Sequence, residues 1–172
     1  MTGGVGLRPV AFDDARAVAE VHVRSRNHAY ADIVDPRTLA ERTIDVQERR
    51  WAEHLAADLT ECWLAELGGR VCGFVSLAGS DDADATPATG MIHALYVDPP
   101  AQGAGVGTQL LDRATDRLRA RGHDTATLWV YAENGLARAF YERHGWAVAP
   151  AGPGNERPEW TEPSVRYRRA LG

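Results

Sequence analysis

The spacing of hydrophobic and polar residues changes several times along the chain, and each change predicts an element. Residues 5–10 read as a short strand. Asp13 and Asp14 open a helix to about Ser25, since acidic side chains favour the positive end of a helix. A break at Asp35-Pro36 precedes a second helical region that runs through Leu59, with Ile44, Trp51, Leu55 and Leu59 as its apolar positions. ECWLAEL and RVCGFVSL, joined by Gly68-Gly69, predict a hairpin over 61–78 with a two-residue turn. The polar stretch GSDDADATPAT (79–89) is a loop. MIHALYV (91–97) is a strand. A helix over about 107–121 then places Leu110, Leu111, Ala114 and Leu118 on one face, with Gly122 as its stop. TATLWVY (125–131) predicts a strand, and 135–143 a helix capped by Asn134 and ended near Gly145. Strands at 146–149 and 164–170 flank a Pro/Gly-rich loop, 150–163.

The resulting order, β-α-α-β-β-β-α-β-α-β-β, is that of an α/β protein with a mixed sheet and helices on both faces. Short connections and the absence of repeats predict one domain over residues 1–172. At that length a folded chain hides roughly 70% of its surface, enough for a core without disulfides or metals.

Charge narrows the function. The formal net charge is −5, which disfavours a broad phosphate-binding surface and hence nucleic acid; a cationic partner suits it better. All 19 basic residues are arginine. Without lysine there is no Walker A phosphate loop, no Schiff base and no pyridoxal phosphate anchor. No stretch approaches the roughly 18 apolar residues of a membrane span. MTGGVGLRPV lacks the zones of a signal peptide, so a cytoplasmic location is expected. Cys62 and Cys72 fall on the predicted hairpin with Cys62 opposite Val75 and Cys72 opposite Ala65. That register points the thiols to opposite faces and argues against a disulfide. Neither lies near a histidine cluster, so no metal site is expected.

The segment with most chemistry is Leu95 to Thr108. A strand runs into Gln102-Gly103-Ala104-Gly105-Val106-Gly107, which opens an amphipathic helix. Glycines let backbone approach a ligand closely, and a helix's first turn offers unpaired N–H groups and a positive dipole end. Together they make a site for phosphate or pyrophosphate. A dinucleotide fingerprint starting at Gly103 would need its third glycine where Thr108 stands, which disfavours an oxidoreductase.

YVDPPAQGAGVGTQLL resembles the coenzyme A pyrophosphate loop of the GNAT superfamily of acyl-CoA-dependent N-acyltransferases, with Gln102, Gly105 and Gly107 in the pattern Gln/Arg-x-x-Gly-x-Gly/Ala. LWVYAENGLARAFYERHGW resembles the family's second motif through Asn134, Ala137, Phe140, Tyr141 and Gly145-Trp146. VHVRSRNHAYADIVDP is similar to the first helix and turn of many members. The resemblance implies a mostly antiparallel sheet in which one parallel pair, 91–97 and 125–131, splays apart around pantetheine. It further implies acetyl-CoA as cosubstrate without a metal, and a small-molecule amine or protein amino group as acceptor. Since members are often monomers or dimers, the resemblance implies a monomer or homodimer. By the same analogy Leu95, Tyr96 and Val97 line the pantetheine arm. Gln102, Gly103, Ala104, Gly105, Val106, Gly107 and Thr108 hold the pyrophosphate, and Asn134 and Phe140 flank the arm. Asn134 reads equally well as a helix cap, and Phe140 as core.

Acyl transfer to an amine needs a base, because an ammonium of pKa about 10.4 is only about one part in two thousand neutral at pH 7. It also needs an acid for the departing thiolate. Tyr141 matches the family's tyrosine near the thioester sulfur. Where many members carry a glutamate this chain has Met91, but His93 points to the same face of the strand, and some members use a histidine there. A structural His93 would leave a water or a loop acid such as Glu156 or Glu162 as the base. Candidates for the acceptor pocket are His28, Tyr30, Trp51 and Trp160, with Glu156, Glu159 and Glu162 attracting a cation. Tyr30 and Trp51 also read as core, and the glutamates, beside Arg157, as solvated surface. Trp63, Trp129 and Trp146 read as core. The missing carboxylate at Met91 keeps a second function open, an acetyl-CoA-binding sensor or regulatory module without transfer activity.

Overall fold

The computed structural model describes residues 4–150, 152 and 155–172. Seven strands, β1 (Gly6–Pro9), β2 (Glu61–Leu67), β3 (Arg70–Gly79), β4 (Thr89–Val97), β5 (Thr125–Tyr131), β6 (Ala147–Val148) and β7 (Ser164–Ala170), form one sheet in the order β1-β2-β3-β4-β5-β7-β6. Every neighbouring pair is antiparallel except β4 and β5. Helices α1 (Ala15–Ala29), α2 (Pro36–Ala40) and α3 (Ile44–Ala56) precede β2; α4 (Val106–Ala120) follows β4, and α5 (Gly135–Arg143) follows β5. The mixed sheet is the expected one.

Two cores sit on its two faces. α1 and α3 bury Val18, Val21 and Trp51 against Leu64 and Phe74. On the other face α4 buries Val106, Leu110, Leu111, Ala114 and Leu118 against Val75, Leu77, Ala126, Leu128 and Val130. Each fully buried leucine contributes roughly 1.5–3 kcal/mol. The single helical region expected through Leu59 is two helices, because Asp35 caps α2 through the Arg37 N–H (2.7 Å) and Thr43 caps α3 through the Val46 N–H (3.3 Å).

The hairpin register differs from the expected one. A bulge between Ala65 and Glu66 shifts the pairing, so Cys62 faces Ser76 and Ala65 faces Gly73. The thiols still part, Cys62 into the α1/α3 core and Cys72 into the α4 core. A second bulge matters more. Ser76 pairs with Ala94 but Leu77 with Ile92, leaving His93 as the extra residue. The alternation of β4 therefore resets at His93: Ile92 and Leu95 join the α4 core, while Ala94 and Tyr96 pack toward α1.

The parallel ladder is short. It runs from Thr89↔Thr125 to Met91↔Thr127 and stops there, so from Ile92 onward β4 presents a free edge toward the diverging β5. This is the expected splayed pair.

Candidate functional site

The split between β4 and β5 brings together residues far apart in sequence. On its α4 side, Gly103 and Gly105 take φ of 81° and 79°, a region that a Cβ disfavours. Gly105 is the cap of α4, and the N–H groups of Val106, Gly107 and Thr108 find no acceptor among the described residues. Gly107 has an ordinary φ; its role is space. A Cβ there would meet Phe140 Cζ at 3.4 Å and Val97 Cγ2 at 3.7 Å. The Gln102 side chain donates to the Val97 carbonyl at 3.3 Å, tying the loop to the end of β4's free edge. Ala104 lies in the same turn. The arrangement can bind an anion at the helix start while an extended arm runs along Leu95, Tyr96 and Val97.

α5 closes this side. Asn134 is its cap, accepting from the Ala137 N–H at 3.2 Å, which leaves its side-chain NH2 as the free donor. The Phe140 ring lies between Gly107 and His144, whose ring centroid is 4.4 Å away. Tyr141 is 8% exposed, packed on Trp146 and Tyr167, and its hydroxyl has no hydrogen-bond partner among the described residues. Burial, with a smaller push from Tyr96, raises that phenol well above its ordinary range, so it stays protonated.

The other side of the split is a cleft of about 220 Å3 lined by Asp81, Met91, Ile92, His93, Trp129, Arg157, Glu159 and Trp160. Met91 and His93 share it, although the bulge interrupts the strand period between Ile92 and Ala94 and Ile92 lines the cleft as well. His93 presents an exposed side chain, yet the protein around it lowers the imidazole below its ordinary range. Asp81 pulls the other way, and Arg157 adds to the lowering. The result is a neutral ring at pH 7, which can accept a proton.

Three segments, the 80–82 loop, β5 and the loop carrying Arg157, hold the cleft together through one carboxylate. Asp82, with a side chain 1% exposed, accepts from Trp129 Nε1 (2.9 Å) and Arg157 Nη2 (3.0 Å) on one oxygen. On the other it accepts from Thr127 Oγ1 and Ser80 Oγ (both 3.1 Å). Arg157 also bonds Asp81 (2.6 Å), Glu159 (3.3 Å) and Met91 Sδ (3.3 Å), and its guanidinium lies 5.2 Å from the Trp129 ring. The guanidinium holds the Asp81 carboxyl below its usual range, against a smaller burial effect.

Of the acceptor candidates, Trp160 lines the cleft and stacks on Tyr131 at 4.7 Å. Tyr30 meets Tyr131 at 4.8 Å, and its hydroxyl lies 3.2 Å from that of Tyr96, so it belongs to the ring cluster that borders the split. Trp51 is core and donates to His22 Nδ1. His28 is exposed on the last turn of α1 and does not line the cleft. Glu159 lines the cleft; Glu156 and Glu162 do not. Trp63 and Trp129 are half-buried rather than core, Trp63 under Arg113 and Trp129 as a cleft wall, whereas Trp146 is core.

Asp81, Asp82, Trp129 and Arg157 are the residues that sequence reasoning missed. One signal was available. In TATLWVY the alternate set Thr125, Thr127, Trp129 and Tyr131 faces away from the α4 core that takes Ala126, Leu128 and Val130, and a strand face rich in hydroxyls and indole awaits polar partners. Among the described residues no group of His, Cys, Asp or Glu is placed to hold a metal, and no helix is long and apolar enough to cross a membrane.

Comparison with known proteins gives the family and the fold. The model of the acetyltransferase (GNAT) family matches residues 15–146. A probable N-acetyltransferase of Mycobacterium tuberculosis is 32% identical over 147 residues, covering 84% of this chain and 80% of that one. A mycothiol acetyltransferase of Beutenbergia cavernae is 58% identical over 59 residues, 34% of this chain and 20% of the relative. The chain spans between a fifth and about half the length of the first curated relatives it matches. An N-acetyltransferase from Thermoplasma acidophilum, solved in complex with coenzyme A, superposes with a TM-score of 0.76 at 16% identity, covering 97% of this chain and 99% of that one, which shows a shared fold.

Proposed function

The chain belongs to the acetyltransferase (GNAT) family, and on that premise we propose that it transfers an acetyl group from acetyl-CoA to a primary amine, of a small molecule or a protein, by direct attack in a ternary complex. The observation that carries this reading is the placing of two unlike half-sites on one strand split. A helix start with unpaired N–H groups and a free strand edge lie on the α4 side, and a cleft lined by His93 lies on the other.

The residues fit the coenzyme. Three unpaired N–H groups at Val106, Gly107 and Thr108, with the turn Gln102–Gly105 before them, suit a pyrophosphate. A Cβ at Gly107 would lie against the Phe140 ring and Val97, the residues that border this turn. Leu95, Tyr96 and Val97 offer a free edge for the amides of the pantetheine arm, flanked by the Asn134 NH2 and the Phe140 ring. Bound acetyl-CoA supplies the acetyl group as a thioester, and the overall change turns an ammonium and a thioester into an amide, a thiol and one released proton.

His93 takes the proton that makes the acceptor nitrogen nucleophilic, directly or through a water. Its lowered pKa keeps it free to do so at pH 7. The buried Tyr141 hydroxyl holds the proton that the departing sulfur takes up. Met91 occupies the place of the family's glutamate and cannot take a proton, which is the one observation that favours a binding module without transfer activity.

Release of free coenzyme A thiol from acetyl-CoA separates the two. Acceptor-dependent release with a panel of polyamines, amino acids, aminoglycosides, arylalkylamines and N-terminal peptides is the expected result. Tight binding of acetyl-CoA by calorimetry with no release in any case would replace the transferase by the binding module.

A further inference from the structure

The lining of the cleft restricts the acceptor, given the acetyl-transfer reading above. Arg157 is the one cation among its lining residues, and it is already committed. Its Nη2 is shared by Asp81, Asp82 and Met91 Sδ, and its Nη1 goes to Glu159. Three carboxylates therefore face one guanidinium, and two of them, Asp81 and Glu159, are more than half exposed, with one oxygen each bonded to Arg157 and the other meeting no donor among the described residues. Arg166, which also reaches Asp82, is matched by Asp84 through two bonds and changes nothing in this balance. The rest of the wall is apolar or aromatic: Met91, Ile92, Trp129 and Trp160.

We infer that the acceptor is a primary amine with an aromatic or compact apolar body and no carboxylate, an arylalkylamine rather than an amino acid. The ammonium meets exposed carboxylate oxygens and His93, while the body lies against the two indoles, where aromatic pairing adds to simple burial. At about 220 Å3 the cleft is smaller than the roughly 300–1,000 Å3 that larger ligands occupy, so it takes one ring system rather than an oligosaccharide or a folded peptide. An α-carboxylate on the acceptor would sit among three carboxylates facing a single guanidinium, and such like-charge juxtapositions are strongly discriminating.

Matched pairs test this with size nearly constant: tryptamine against tryptophan, tyramine against tyrosine, and phenethylamine against phenylalanine, together with phenylalanine methyl ester. kcat/KM for thiol release at saturating acetyl-CoA is the readout. The amines should exceed their amino acids by on the order of 10²-fold, and the ester should recover most of the loss because the carboxylate charge is removed. In Asp81→Asn the amine-to-acid ratio should shrink several-fold. Equal turnover of amines and amino acids would overturn the inference and leave acetyl transfer standing. Preference for the amino acids would overturn it in favour of Arg26, a buried guanidinium on α1 whose Nη1 has no partner among the described residues. If neither series is acetylated while polyamines or N-terminal peptides are, the inference fails alone. If no amine is acetylated although acetyl-CoA binds, the transferase reading fails with it.

Discussion

On the α4 side of the strand split, recognition rests on backbone: two glycines at positive φ, three N–H groups without partners and a strand edge without a neighbour. On the cleft side almost everything rests on side chains, drawn from segments around residues 80–82, 91–93, 127–129 and 157–160 and gathered on Asp82 and Arg157. A backbone site depends on conformation and tolerates change at most side chains. A side-chain site depends on identities, and a single substitution can re-aim it. This explains how one fold can keep its donor site while its acceptor site is free to differ, because the two requirements fall on different chemical groups.

The largest expected effect breaks the first side alone. Gly107→Glu should abolish acetyl-CoA binding, measured by calorimetry, since a carboxylate would stand at the proposed phosphate site, with its Cβ in contact with Phe140 at 3.4 Å. The fold should survive, because Gly107 has an ordinary φ and unstrained helical geometry. Wild-type affinity in a folded variant would remove the pyrophosphate from this turn.

Tyr141→Phe comes next and acts where the two sides meet. kcat should fall by about 10²–10⁴ with the coenzyme Kd little changed, because the lost hydroxyl makes no bond within the protein whose loss would disturb packing. An unaltered kcat would exclude Tyr141 as the acid.

The same division decides what could be read from the sequence. β5 and α5 fall where predicted to the residue, since TATLWVY alternates cleanly and Asn134 and Gly145 mark both ends of the helix. The glycine turn was equally legible, because its requirement is local: backbone conformation at consecutive positions. α1 runs one turn beyond Ser25, to Ala29, because nothing in Arg26-Asn27-His28 stops a helix. The hairpin register was missed because a bulge at Ala65/Glu66 leaves no mark in the residue pattern. The cleft was illegible for a different reason. Arg157 and Asp82 are 75 residues apart and meet because β4, β5 and β7 lie side by side in the sheet. Read alone, the aspartates of 81–84 and the arginine of the 150–163 loop are two ordinary polar surfaces, and Trp129 an ordinary core tryptophan.

His93 sharpens the comparison on the cleft side. The protein around the ring places its pKa below the ordinary 6.5, so kcat/KM should rise along an acid limb that lies below pH 6.5. Asp81 opposes that shift by favouring the imidazolium, so Asp81→Asn should move the limb to still lower pH. His93→Gln should lower kcat/KM by about 10²-fold and flatten the limb. A limb that persists unchanged in His93→Gln would assign the base to another group.

The smallest expected effect tests whether the coenzyme side really rests on backbone. Thr108 is the one residue of the unpaired N–H set whose side chain could also donate to a phosphate. Its hydroxyl lies 3.0 Å from His144 Nε2, and His144 Nδ1 lies 2.7 Å from the Phe140 carbonyl. A carbonyl only accepts, so in the neutral ring the proton is on Nδ1, Nε2 carries the lone pair, and the Thr108 hydroxyl must donate to it. Its proton is then spent within the protein, tying the end of α5 to the first turn of α4, and the phosphate is left to the N–H groups. Thr108→Val should therefore cost about 1 kcal/mol of stability, the net worth of one neutral hydrogen bond, and raise the Kd for acetyl-CoA less than about fivefold. If the hydroxyl instead turned to the bound anion, the substitution would remove a charged hydrogen bond worth about 1.5–3 kcal/mol, and the Kd would rise by roughly 10- to 100-fold. His144→Leu distinguishes the same two cases from the other partner. It frees the Thr108 proton, so affinity should hold or improve slightly if the histidine competes with the phosphate for it, whereas a fall matching that of Thr108→Val would mean that the pair acts by bracing the turn.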